Sequence, residues 1–176
     1  MSGPLSDAIA AYLARTWGEP VAIEDLARIS GGASRETYRF DAVVGAERRP
    51  LILRRDPPGS LIETDRRSEF LALKSFHGAG VAAPQPLILE LDGAELERPF
   101  FVMARVDGGA TASPFAPDPY APHAAKLGED FFGTLGRIAA ADPATMPISE
   151  CFEAPALDAC WRRAVNQPEK QRIGSL

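Results

Sequence analysis

Residues 29–40 read ISGGASRETYRF, and the meaning of the Gly-Gly-Ala-Ser step within them decides what kind of fold the chain adopts. Downstream, residues 36–44 place Tyr38, Phe40, Ala42 and Val44 on one side, the period-two pattern of a strand with one buried face. Upstream, residues 25–30 (DLARIS) read as a short strand. A glycine pair between two strands has two readings. It closes a hairpin, because glycine tolerates the positive φ of tight turns. Alternatively it brings successive backbone amides close to an anion, because no side chain stands in the way. The step alone does not separate the two, so its surroundings must.

Gly45 and Ala46 make a turn after which residues 49–55 (RPLILRR) return as a third strand. DPPGS then breaks the sheet. Residues 64–80 (TDRRSEFLALKSFHGAG) form a helix with Thr64 or Asp65 as its cap and Gly78 or Gly80 as its stop. Two strands follow, 86–91 (PLILEL) and 99–106 (PFFVMARV), joined by a polar connection. An N-terminal helix, 6–17, starts at Ser6 as cap and ends at Gly18 and Pro20. The expected fold class is therefore α+β: a five-stranded antiparallel sheet with one helix inserted after the third strand. Beyond it, a Pro-rich linker leads to a long helix at 123–142 with Leu127, Phe131, Leu135 and Ile138 on one stripe, and to a second helical stretch at 156–165.

Composition excludes several functions. The 176 residues are 45% hydrophobic and 24% charged, which is globular. A net charge of −5 does not suit a nucleic-acid-coating surface. No run approaches the ~20 apolar residues of a membrane span. The N-terminus lacks a basic start and carries Asp7, so a cytoplasmic location is expected. Cys151 and Cys160 have neither disulfide-framework nor metal-ligand spacing.

The chemistry gathers in the first part. Arg54 lies on the third strand and Glu69 lies one turn into the following helix. A strand cation held by a helix carboxylate is how protein-kinase-like folds fix nucleotide phosphates. The last strand is apolar and runs into Asp107-Gly108-Gly109, which reads as a hinge. There the main chain of Ala104 and Val106 could meet an adenine edge, with Met103 behind the ring.

Taken together, ISGGASRETYRF, LILRRDPPG, SEFLALKSFHGAGVAAPQPL and PFFVMARVDG resemble, in order and spacing, the first lobe of the aminoglycoside phosphotransferase-like or choline-kinase-like family. They are similar in particular to the subgroup that also occurs fused to acyl-CoA dehydrogenases. The resemblance covers residues 20–145. It implies ATP as the nucleotide, with Mg2+ in a complete family member. It further implies that Gly31, Gly32, Ala33 and Ser34 line the triphosphate, that Arg54 holds the α- and β-phosphates, and that Glu69 orients Arg54. Ala104 and Val106 would bind adenine through the backbone, with Met103 as gate. Many relatives have Lys at the position of Arg54. Arg grips phosphate as a planar fork rather than as a point charge.

The family's catalytic signature, His-Gly-Asp followed by Asn, is not in this sequence: His77 and His123 are each followed two places on by Ala. Asn166 is the one asparagine, and kinase spacing back from it puts Trp161 where the base would stand. The expected organisation is a kinase-like N-lobe (1–106), a hinge and linker (107–122) and a truncated helical C-lobe (123–176). The expected function is an ATP-dependent transfer of the γ-phosphate to a small-molecule hydroxyl, inactive in this chain alone. The alternatives are a non-catalytic module that binds a nucleotide or a partner, and an unrelated α+β domain whose glycine step is only a turn. The apolar stripe on 123–142 predicts self-association or a partner supplying the missing C-lobe. Analytical ultracentrifugation at tens of micromolar (~10–50 µM, where mass action reveals weak assembly) is expected to show species larger than a monomer. A single monomeric boundary would contradict this.

Overall fold

Helix α1 (Pro4–Trp17) begins earlier than the Ser6 cap predicts. Pro4 occupies the first turn, where its fixed φ suits a helix and its missing N–H costs nothing. The Asp7 N–H already donates to the Gly3 carbonyl at 3.2 Å, so Ser6 lies buried inside the helix instead of capping it. At the other end Gly18 takes a left-handed φ of 74° and its N–H closes on the Ala14 carbonyl at 2.9 Å. The computed structural model describes residues 3–29, 36–56, 66–108, 115 and 117–151.

The strands are β1 (Ala22–Ile29), β2 (Glu36–Val44), β3 (Glu47–Arg55), β4 (Pro86–Glu90) and β5 (Phe100–Ala104). They form one antiparallel sheet in the order β1-β2-β3-β5-β4, so β3 is central. Helix α2 (Arg66–Gly78) is inserted between β3 and β4. This is the α+β architecture expected from the sequence, with strand ends shifted by a few residues.

Alternation along the strands separates two faces. On one, Phe40, Leu51, Leu53, Phe100 and Val102 pack with Ile9, Tyr12 and Leu13 of α1 to form the core. Tyr12 meets Phe100 edge-on at 5.1 Å between ring centres. On the other face, Phe70 of α2 sits edge-on to Phe101 at 6.1 Å. Since Arg54 pairs across the sheet with Phe101, and Ile52 with Met103, all four share the α2 face. The register of the core thus decides which way Arg54 points.

The glycine that stops α2 is Gly80 rather than Gly78. The Val81 N–H bonds to the Phe76 carbonyl at 2.9 Å and the Gly80 N–H to His77 at 3.1 Å, with Gly80 at φ 73°. These are the two bonds of a Schellman stop. The cap expected at Thr64 or Asp65 and the helix expected at 156–165 lie outside the described residues.

Helix α3 (Ala124–Ala140) has no buried residue. Leu127, Phe131, Phe132, Leu135 and Ile138 are all exposed, Phe132 by 72%. The chain after α3 returns to α2, where the Ile148 N–H donates to the Ser75 hydroxyl at 2.9 Å and Arg67 pairs with Glu150 at 2.8 Å. Among the described residues no helix is long and apolar enough to cross a membrane.

The connection between β4 and β5 turns at Gly93, at φ 71°, where an added Cβ would lie 2.9 Å from the Arg98 Cα. Gly80 has a similar φ but open space around it. In urea unfolding, Gly80→Ala is expected to cost about 1 kcal/mol for the left-handed backbone alone. Gly93→Ala should cost about 1–3 kcal/mol more, because backbone must move. Equal losses at the two positions would contradict this packing.

Candidate nucleotide-phosphate site

Arg54 and Glu69 meet. A guanidinium nitrogen of Arg54, Nη1, bonds to Oε1 of Glu69, with the side chains 30% and 25% exposed. The pair is thus half-sheltered and partly open to solvent. Its position follows from two periodicities. Arg54 faces α2 because Leu53 and Arg55 face the other way, and Glu69 faces the sheet one residue before Phe70 packs on Phe101.

Two residues beyond the sequence-based site complete the arrangement. Arg66, only 3% exposed, places Nη1 3.1 Å from Oε2 of Glu69 and bonds through Nη2 to Oδ1 of Asp56. Glu69 is therefore held on both oxygens, by a different arginine on each. The guanidinium carbons of Arg54 and Arg66 lie 5.8 and 5.9 Å from the Phe101 ring centre, so this ring underlies both cations. The signal for Arg66 was legible as an Arg three residues before Glu69, a helical spacing that suits a salt bridge. Asp56 gave no comparable signal, because its partner is distant in sequence.

The glycine step, Gly31, Gly32, Ala33 and Ser34, lies outside the described residues. Its downstream foot is well anchored: Glu36 accepts from Arg55 at 2.7 Å and from Arg98 at 3.3 Å. At the other end of the sheet, Met103 is half-buried and pairs with Ile52. The Ala104 N–H donates to the Gln85 carbonyl at 2.8 Å, so Ala104 could offer an adenine only its carbonyl. Val106 follows β5 with its side chain 72% exposed.

Arg105, between them, fastens this segment to the sheet. Its N–H donates to the Pro50 carbonyl at 3.0 Å, and its guanidinium reaches Asp41 at 2.8 Å and Asp107 at 2.7 Å. Asp41 is buried and also takes Arg48 at 2.7 Å. The hydrogen bond from Arg48 holds its carboxyl below the usual carboxylate range, and the charge of Arg105 adds to this against the opposing effect of burial. Asp25, Leu26, Ala27, Arg39, Asp41 and Arg105 line a polar cavity of about 450 Å³. Among the described residues no three His, Cys, Asp or Glu side chains gather where a metal ion could be held.

Arg54 is thus partly open to solvent on the α2 face, while Arg66 is buried beside Glu69. The profile of the phosphotransferase enzyme family matches residues 25–172. The chain belongs to that family. Among solved structures, one from Ralstonia eutropha JMP134, assigned as an aminoglycoside phosphotransferase, has the same fold with a TM-score of 0.67. The two share 14% identity over 96% of this chain and 48% of the other, so this chain spans about half the length of that structure. No curated protein matches. In this phosphotransferase-family chain, Arg54 and Glu69 are paired between β3 and α2 of the five-stranded sheet.

Because its folded pKa is lowered, Asp41 contributes stability that is present above the ordinary carboxylate value of about 4 and is lost as pH falls through the lower folded value. Asp41→Asn should therefore lower stability at pH 7 and flatten the loss of stability below about pH 4, where only the wild type still has this carboxylate to protonate. Urea unfolding at pH 7, 4 and 3 measures both. A variant that loses stability with acid as steeply as the wild type would contradict the role given to Asp41.

Proposed function

We propose that this chain is the nucleotide-holding part of an ATP-dependent phosphotransferase acting on a small-molecule hydroxyl. The observation that carries the reading is the Arg54–Glu69 pair on the α2 face of the sheet. Phosphoryl transfer needs little covalent chemistry from the protein and much positioning and charge stabilisation. Arg54 supplies a permanent, planar cation able to take two phosphate oxygens as a fork. Glu69 removes the freedom that a long side chain would otherwise lose on binding. The glycine step beside the foot at Glu36 would offer backbone amides to the same phosphates, and the main chain around Ala104 and Val106 would border the base.

Transfer further requires a base near the acceptor hydroxyl and carboxylates for Mg2+. The described residues do not fit such a metal, and the His-Gly-Asp and Asn signature is not in the sequence, so no catalytic step is assigned to this chain. The same observation favours a second reading, a nucleotide-binding module without transfer of its own. Both readings share the phosphate grip. They differ in turnover, which the first expects only once the catalytic residues are supplied.

Isothermal titration should detect ADP and ATP binding, and Arg54→Ala should weaken both by about 10- to 100-fold, the worth of a charged hydrogen bond. Adenosine, which has no phosphate, should bind both proteins alike. If ADP binds wild type and Arg54→Ala equally well, the proposal is wrong.

A further inference from the structure

We propose that Arg66 is a positioning residue for the phosphate site, acting on Arg54 chiefly through Glu69; the proposal rests on the nucleotide reading above. A guanidinium that is 3% exposed is costly to bury unless carboxylates hold it. Among the described residues Arg66 is held by Asp56, just past the end of β3, and by Glu69 on α2. Arg54 and Arg66 lie over the same Phe101 ring and repel each other, and the Glu69 carboxylate lies between them with one oxygen for each.

Two consequences follow from this sharing. First, Glu69 cannot rotate away from Arg54 without giving up Arg66, so its carboxylate is fixed before any ligand arrives. Second, Arg54 does not have the carboxylate to itself. Part of the Glu69 charge is spent on Arg66, so Arg54 keeps more of its positive field for an incoming anion than an isolated ion pair would allow. Arg54, the more exposed of the two arginines at 30%, is the one a ligand can reach. Arg66 is buried. The strand–helix junction thus carries two nested links, Arg54 to Glu69 and Asp56 to Arg66, tied together by the Arg66–Glu69 pair.

The test is a double-mutant cycle read by titration with ADP. In the wild-type background Arg66→Met should weaken ADP binding about five- to tenfold, the size expected of directly coupled residues. In a Glu69→Gln background the same substitution should change affinity less than about twofold, because the link to Arg54 is already cut. A merely structural Arg66 would give the same loss in both backgrounds, and that result overturns the proposal. Arg66→Lys, which keeps the charge, should recover part of the affinity. Because Arg66→Met leaves Asp56 without this partner, the charge-balanced pair Asp56→Asn with Arg66→Met is run alongside, with circular dichroism as the check on folding, and is read by the same criterion. Arg54→Ala separates the two levels of the argument. If it leaves ADP binding unchanged, the nucleotide reading itself fails. If it weakens binding while Arg66→Met does not, only the role of Arg66 fails.

Discussion

A cation on the central strand of a sheet can meet a carboxylate on a packed helix only if strand register and helix rotation agree. Here that agreement is the Arg54–Glu69 contact, and most of the lobe can be understood from what it requires. The α1 face must be apolar enough to fix the register, and Phe40, Leu53 and Phe100 are fully buried there. Those residues leave Arg54 and Phe101 on the opposite face, where Phe70 of α2 packs edge-on to Phe101. A one-residue slip of β3 would exchange Arg54 for Leu53, exposing a core leucine and burying a charge, so hydrophobic burial enforces the placement of Arg54.

Electrostatics then refines what packing has placed. The sheet lobe is rich in arginine and almost without lysine, and its arginines are sorted into separate networks. Arg55 and Arg98 converge on Glu36 beside the glycine step. Arg48 and Arg105 converge on Asp41 and secure the segment after β5. Arg54 and Arg66 share Glu69. Each network joins different secondary-structure elements or the segments that flank them. Planar, permanently charged guanidiniums suit this use, since one group can satisfy two acceptors at fixed geometry.

Much of this was legible in the sequence. Alternation in β2 and β3, the breaks at DPPGS and AAPQP, and the helical spacing in α2 gave the five strands and the inserted helix in order. The strand–helix pairing of Arg54 with Glu69 was also readable, because it follows from position within two well-marked elements. Ser6 misled because a serine cap competes with a proline that starts the helix two residues earlier. Asp41 was invisible, since a carboxylate in an alternating strand looks solvent-facing until Arg48 and Arg105 are seen to close over it. The tie from Arg66 to Asp56 was hidden because it depends on tertiary approach. The apolar stripe of α3 was legible as a pattern, and the structure leaves it exposed.

The central claim is that Glu69 holds Arg54 in place before a ligand arrives, and side-chain NMR of the Arg54 guanidinium tests it most directly. In the ligand-free protein the account predicts slowed rotation of that group, with separate Nη resonances that merge in Glu69→Gln and shift when ADP is added to the wild type. A freely rotating Arg54 guanidinium, indifferent both to the Glu69 substitution and to ADP, would contradict it.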